Sequence, residues 1–457
     1  MKVALVFPRL AYRSGDPPLG VALLAGQLER LPGVQVDILD TTFESDPYEY
    51  LLQAFERGRY DLIGVSVMAS MMSAASRVVA MARSACPQAT IVLGGPHPTV
   101  IPEQTLLVTG ADAVCIGEAD ATLPEIVRQP GNLTHIAGVA FLRNGKLTKT
   151  APRKPIEDLD ALPLPAWHLL PMRAYLRNWF QMDAVPGANP GTSIIASRGC
   201  SFNCSYCQPT LRRLFGSTVR KRSPENIAAE ISRLVSNYAI RGFMIQDDTF
   251  TIDPDWAIAA GRAIHNARPE VIWACNARAD TLDEKLISEL WRCGLRKVNI
   301  GIESASERIL REVYNKRISP RQIRSAVNLA KQFGLSIQGY FMLGAPGESE
   351  DEVRQTIRLA RELPLDDATF SITTPLPGTI LYKKTRGLIR PGIVDFDYYG
   401  KPVYREDAAI TPDLLNRLRR EAYLGFYLSP KRLRTIIRHL FLSGRPEKTI
   451  NKLRRLL

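Results

Sequence analysis

Three cysteines, Cys200, Cys204 and Cys207, stand at C-x3-C-x2-C spacing in the short polar stretch SRGCSFNCSYCQP. Three thiolates so placed can hold three irons of a cubane 4Fe–4S cluster and leave the fourth iron without a protein ligand. An open metal position is one where an outside group can bind and react. A structural zinc site closes instead with four Cys or His ligands, and no second ligand pair lies near in the sequence. His168, the only close histidine, sits in a Pro-rich stretch upstream. The other four cysteines, Cys86, Cys115, Cys275 and Cys293, stand singly on apolar stretches, the pattern of reduced buried thiols and not of a disulfide framework.

A loop of this kind needs a rigid element before it, and TSIIAS supplies one. From residue 193 to 380 six strand patterns, TSIIAS, RGFMIQ, EVIWAC, RKVNIGI, LSIQGYFML and DATFSIT, alternate with helical ones such as SPENIAAEISRLVSNY and SEDEVRQTIRLARELP. Six strand-helix units predict a partial (β/α)6 barrel, with the cysteines after its first strand, at the carboxyl end where barrels carry their chemistry. Residues 1–130 show the same rhythm in KVALVF, VQVDILD, DLIGVSV, ATIVLGG and DAVCIGE, which predicts a separate doubly wound parallel sheet. Ligands of such sheets bind beyond the carboxyl ends of the strands, where the loops here are rich in Gly, Pro, Ser and His. Residues 131–192 read as a linker with a hairpin at Asn144-Gly145, and residues 381–457 as a helical region. The expected fold is therefore α/β throughout, with a helical basic tail.

The chain of 457 residues has room for about two to three domains. It has no run of 18 or more apolar residues and no signal-peptide pattern, which points to the cytoplasm. Its net charge of +13 is uneven: residues 411–457 hold twelve Lys or Arg against three Asp or Glu. In KRLRTIIRHLFL, Leu433, Ile436, Ile437, Leu440 and Phe441 share one helical face while Lys431, Arg432, Arg434 and Arg438 take the other. EKTINKLRRLL repeats the arrangement, and such helices either pack on protein or lie on an anionic membrane surface.

The cysteine motif, read with the strand-end motifs that follow it, resembles the radical S-adenosylmethionine (SAM) enzymes that carry an N-terminal cobalamin-binding domain, and the resemblance covers nearly the whole chain. It implies that Cys200, Cys204 and Cys207 hold the cluster, with Tyr206 in the aromatic place before the third cysteine. It implies that SAM chelates the open iron and is cleaved reductively to a 5′-deoxyadenosyl radical. In MIQDDTF, Asp247 and Asp248 then face the SAM ammonium group; in NARADTL, Arg278 clamps its carboxylate; in NIGIESAS, Glu303 and Ser304 meet the ribose or the amino acid moiety. The Gly-rich turn of YFMLGAPGES, with Gly344, lets backbone approach adenine.

The same resemblance implies a flavodoxin-like first domain that buries a corrin ring against its sheet edge. Gly20, Ser66, Ser70, Gly94, Gly95, Thr99 and Gly117 are the small residues that would let the macrocycle approach, with Glu118 beside them. No D-x-H-x-x-G stretch is present, so the cobalt is expected without a histidine below it, and His97 is read as a hydrogen-bond donor to the corrin rim or a loop-packing residue. GEAD stands where the family has GEGE, with Ala119 for a glycine and Asp120 for a glutamate. The function so implied is C-methylation of an unactivated carbon in a large hydrophobic substrate, with flavodoxin or ferredoxin as reductant. The alternatives are a cyclase-like oxidation without methyl transfer, and a non-enzymatic iron–sulfur sensor or nucleic-acid-binding adaptor; no nucleic acid is expected.

Overall fold

Five apolar runs too buried to alternate lie side by side in the first sheet: β1 (Lys2–Phe7), β2 (Gln35–Asp40), β3 (Leu62–Ser66), β4 (Thr90–Gly94) and β5 (Ala113–Cys115). In this computed structural model, which describes residues 1–429 except 12, 401 and 406–409, together with residue 432, these strands are parallel in the order β2-β1-β3-β4-β5. The chain leaves β1 for β2 on one side and returns to β3 on the other, so the strand order reverses between the loops after β1 and β3. A crevice opens at such a reversal. The hairpin of β6 (Val139–Arg143) and β7 (Lys146–Lys149) adds antiparallel strands beyond β5 and so extends this first sheet. Its two turn residues, Asn144 and Gly145, both have positive φ, as a two-residue hairpin turn of matching twist requires.

The second sheet contains β8 (Gly191–Ile194), β11 (Gly242–Ile245), β12 (Ile272–Ala277), β13 (Leu295–Glu303), β14 (Ser336–Leu343) and β15 (Asp367–Ile372), all parallel and in sequence order across the sheet. A short antiparallel ribbon, β9 (Ser197–Arg198) with β10 (Arg220–Lys221), stands just past β8. β8 and β15 are its two outer strands, so the sheet is a partial barrel. Its helices begin where the sequence offers caps: Ser223, Asp253, Asp283, Ser319 and Ser349 each accept a backbone N–H of the first turn. Residues 179–188 plug one mouth, where buried Trp179, Met182 and Val185 pack on Met244 and Ala274.

The Pro-rich stretch after the hairpin is wedged between the domains. Ala166 N–H donates to Ala22 O of the first domain at 2.9 Å, and the Trp167 indole donates to Glu230 of the barrel at 3.2 Å. Beyond the barrel, the helix Pro412–Tyr427 lies on β15, with Tyr423 Oη accepting from Phe370 N–H at 3.0 Å and Phe426 fully buried. The segment before it crosses back to the first domain: Phe396 N–H donates to Ala69 O at 2.9 Å and Ser73 N–H to Asp395 at 3.0 Å, while Ile372 N–H of β15 donates to Tyr398 O. The amphipathic tail pattern from Leu433 onward lies outside the described residues.

Candidate functional site

The cysteine loop leaves the β9–β10 ribbon through Gly199, whose φ of 96° only glycine adopts at ease. It is braced from both sides. Cys207 N–H and Gln208 N–H donate to Cys204 O at 3.1 and 2.9 Å, and the buried Gln208 amide donates to Phe202 O at 3.1 Å. From the barrel, Tyr314 O accepts from Ser205 N–H at 2.8 Å and Asn315 donates to Asn203 O at 2.8 Å. Cys204 is buried, and Cys200 and Cys207 are half-buried. Burial pushes the Cys207 thiol well up, and the neighbouring charges of Cys204, Asp248 and Cys200 add to the shift. Thiolates that repel one another in a dry loop need a cation to settle as anions. Among the described residues no three Cys, His, Asp or Glu side chains converge on one ion. A cubane does not ask them to, because it takes each thiolate on a different iron. The donor set fits such a cluster.

The strand-end residues gather around this loop, each with its own bonds. Asp247 is 2% exposed, and both carboxylate oxygens are occupied: Oδ1 accepts from Ala196 N–H at 2.7 Å and Oδ2 from Ser197 Oγ at 2.6 Å. It ties β11 to the start of the cysteine loop, whereas its neighbour Asp248 is solvent-exposed. Arg278 forks onto Asp280 with two 2.9 Å bonds, stacks its guanidinium 3.7 Å from the Phe202 ring centre and reaches Cys204 Sγ at 3.5 Å. Glu303 has φ of 64°, a strained value for a side-chain-bearing residue, at the point where the β13–β14 register slips. Lys316 holds it at 2.8 Å, and Tyr206 Oη donates to it at 3.2 Å. Ser304 is fully buried against Thr356 at 3.2 Å and accepts from Ser306 N–H. Gly344 has φ of 79°, and a Cβ there would stand 2.5 Å from Leu415, so the fold accounts for this glycine.

At the first sheet the edge is built from space. Gly20 and Gly94 have nothing within 4 Å of where a Cβ would stand. Ser66 closes β3, and Ser70 is exposed in the loop beyond it. Gly95 has φ of 107° and its missing Cβ would press on Val67 O at 2.9 Å, so the turn after β4 requires glycine. Thr99 Oγ1 donates to Gly95 O at 2.8 Å and accepts from Gly117 N–H at 3.1 Å, joining the loops after β4 and β5. His97 is 4% exposed, its Nδ1 has no hydrogen-bond partner among the described residues, and burial holds its pKa down to about 4. An open glycine floor beside a neutral imidazole with a free nitrogen fits a flat macrocycle with polar rim groups.

Glu118 is held by the second domain. Its carboxylate meets Arg198 at 2.9 Å and Arg220 at 2.8 Å, and accepts Ile156 N–H at 2.9 Å, while Asp120 takes both Arg198 amino groups at 2.8 and 3.0 Å. GEAD therefore grips the β9–β10 ribbon, and Asp120 preserves the carboxylate that this grip uses. Sequence reading had no signal for the partners Arg220 and Lys316, which belong to no motif, and none for the role of Arg198 within the cysteine stretch. His168 pairs with Glu29 at 2.8 Å, away from the cysteines.

Comparison with known proteins agrees with this division. The Radical SAM superfamily model matches residues 194–360 and the B12 binding domain model residues 13–127. An uncharacterized methyltransferase of Pyrococcus horikoshii is 34% identical over 444 residues, covering 94% of this chain and 93% of that protein. The anaerobic magnesium-protoporphyrin IX monomethyl ester cyclase of Rubrivivax gelatinosus is 27% identical, covering 92% of this chain and 76% of that protein. The radical SAM methyltransferase TsrM of Kitasatospora setae, solved with cobalamin and a 4Fe–4S cluster, superposes with a TM-score of 0.70 at 18% identity, over 86% of this chain and 76% of that one. The chain belongs to the radical SAM superfamily, in its cobalamin-binding branch, and is an enzyme whose cofactors are a 4Fe–4S cluster, SAM and cobalamin.

Proposed function

We propose that this enzyme transfers a methyl group, by way of cobalamin, to an unactivated carbon of a large hydrophobic small molecule such as a tetrapyrrole or polycyclic lipid. The observation that carries the reading is the end-to-end match to a methyltransferase, with both cofactor domains in one chain. When bound, the cluster and SAM supply a reducing electron and a hydrogen-abstracting carbon radical, and cobalamin supplies the methyl carrier. The chain's own residues then bind and orient. Cys200, Cys204 and Cys207 hold the cluster. Asp248, exposed beside the loop, is the free carboxylate for the SAM ammonium group, with Asp247 fixing the loop behind it. Arg278, Tyr206 and Glu303 shape the rest of the SAM seat, and the open edge at Gly20, Gly94 and His97 receives the corrin. The strap through Phe396 and Tyr398 joins the two domains.

The cyclase relative supports a second reading, oxidation of a tetrapyrrole-like substrate without methyl transfer. Anaerobic incubation of the reconstituted protein with methyl-labelled SAM and cell extract separates the two by mass spectrometry. A product heavier by one labelled methylene unit supports methylation, an oxidised unlabelled product supports the second reading, and absence of SAM cleavage defeats both. A flavodoxin or ferredoxin is the proposed electron donor. No helix among the described residues is long and apolar enough to cross a membrane; we place the enzyme in the cytoplasm, and the charge pattern of residues 430–457 supports contact with an anionic membrane surface.

A further inference from the structure

Arg198 and Arg220 are directly opposed on the two-residue ribbon β9–β10. Like charges facing each other across a ladder repel, and here their side chains are only 9% and 8% exposed. What neutralises them comes entirely from the other domain. Glu118, 5% exposed, lies between the two guanidinium groups, and Asp120, 7% exposed, forks onto Arg198 alone. Two cations and two anions balance in one dry patch. The geometry around it is over-determined: Arg220 also donates to Phe215 O at 2.7 Å and to Ile156 O, and Ile156 N–H returns to Glu118.

The placement of this patch matters more than its strength. On the barrel side Arg198 is two residues before Cys200, with only Gly199 between them. On the other side Glu118 follows Gly117, whose N–H is held by Thr99, which in turn holds the turn at Gly95. A short chain of bonds therefore runs from the glycine floor of the first sheet to the first cysteine. We propose that Glu118, Asp120 and Arg198 are positioning residues that set the cluster loop at a fixed distance from the corrin floor. The reading rests on both cofactors occupying the sites assigned above, and it gives GEAD a mechanical role in place of ligand contact. A buried fork favours this over a merely stabilising role, because bidentate geometry fixes orientation as well as charge.

The test uses the full chain with Asp120→Asn and Arg198→Lys. The first removes the charge at nearly constant shape; the second keeps the charge and loses the fork. Hydrogen exchange on cofactor-free protein is expected to show residues 113–120 and 196–200 exchanging at least tenfold faster in both variants, with the remaining barrel unchanged. In anaerobically loaded protein, the magnetic interaction between reduced cluster and cob(II)alamin, read by electron paramagnetic resonance, is expected to broaden in Arg198→Lys while cluster and cobalamin content stay at wild-type levels. Unchanged exchange in both segments, or an unchanged interaction in the loaded variant, overturns the proposal. Should Asp120→Asn not fold, Arg198→Lys decides alone. Wild-type protein that takes up no cobalamin would defeat the functional reading, while the exchange measurement still decides whether the clamp exists.

Discussion

The edges of the two sheets are built by opposite means. At the barrel edge, Asp247, Arg278, Glu303 and Ser304 all have partners within the fold. At the first-sheet edge the same role falls to missing atoms: Gly20 and Gly94 face open space. The difference matches what the proposed function assigns to each edge. A small charged ligand is oriented by polar groups, which must first be held still by other polar groups. A large flat ring is held by area, which asks backbone to come close and side chains to stay away. On the proposed assignment, the partnered motif residues at the barrel edge act as supports, and the open glycines at the first-sheet edge are where the ring would make contact.

The largest effect is expected where a side chain has no substitute. Cys204→Ala should abolish both the iron–sulfur absorbance and deoxyadenosine formation, because three thiolates are the minimum for the cluster. Cobalamin binding should remain, since no first-sheet residue is disturbed. Retained SAM cleavage in this variant would break the assignment of the barrel edge.

Next comes Gly94→Leu. A Cβ here meets nothing within 4 Å and the φ is not positive, so the fold should tolerate the substitution with an almost unchanged unfolding midpoint. The corrin should not. A loss of at least about 100-fold in cobalamin affinity is expected, roughly 2.7 kcal/mol, with full cluster content. Unchanged cobalamin affinity would show that the ring lies elsewhere and that the open floor is incidental.

A third prediction concerns Glu348, which the barrel edge buries completely. One carboxylate oxygen accepts Gly344 and Ala345 N–H at 2.7 and 2.8 Å, while the other has no partner among the described residues. Burial raises its pKa to about 7 from an ordinary 4.5. The folded state therefore keeps a proton that the unfolded state has lost between about pH 4.5 and 7. The stabilisation is complete below pH 4.5 and lost as pH rises to 7. Glu348→Gln, neutral at every pH and still able to accept both N–H groups, should gain about 3 kcal/mol on wild type across this window. Urea denaturation at pH 5 and pH 7.5 measures it; parallel pH dependence in the two proteins would contradict a buried neutral carboxyl.

Strand positions were legible in the sequence because apolar runs and turn residues act locally. Asn144-Gly145 demands its hairpin wherever it stands, and the capping serines start their helices within three residues. The bonding of the polar motif residues was not legible, because it is long-range. Asp247 meets Ser197 across 50 positions, and Glu118 meets Arg198 across 80. Nothing in GEAD or QDDT reveals that Glu118, Asp120 and Asp247 already have partners while Asp248 stays exposed. The cysteine spacing was readable for the opposite reason: its three ligands lie within eight residues and serve one local purpose.

The smallest effect sharpens the comparison most, at Ser304. Its hydroxyl is fully buried, shares a hydrogen bond with Thr356 and accepts Ser306 N–H at 3.1 Å. Ser304→Ala leaves that N–H without its partner, while the Thr356 hydroxyl keeps Glu352 O and Ala305 N–H, which should cost about 1 kcal/mol of stability. SAM affinity should stay within about twofold, because affinity follows only contacts that the ligand itself makes. Paired denaturation and equilibrium binding measurements distinguish a support from a contact. A tenfold loss of SAM affinity with unchanged stability would place Ser304 in the ligand seat and narrow the contrast between the two edges to Asp247 and Arg278.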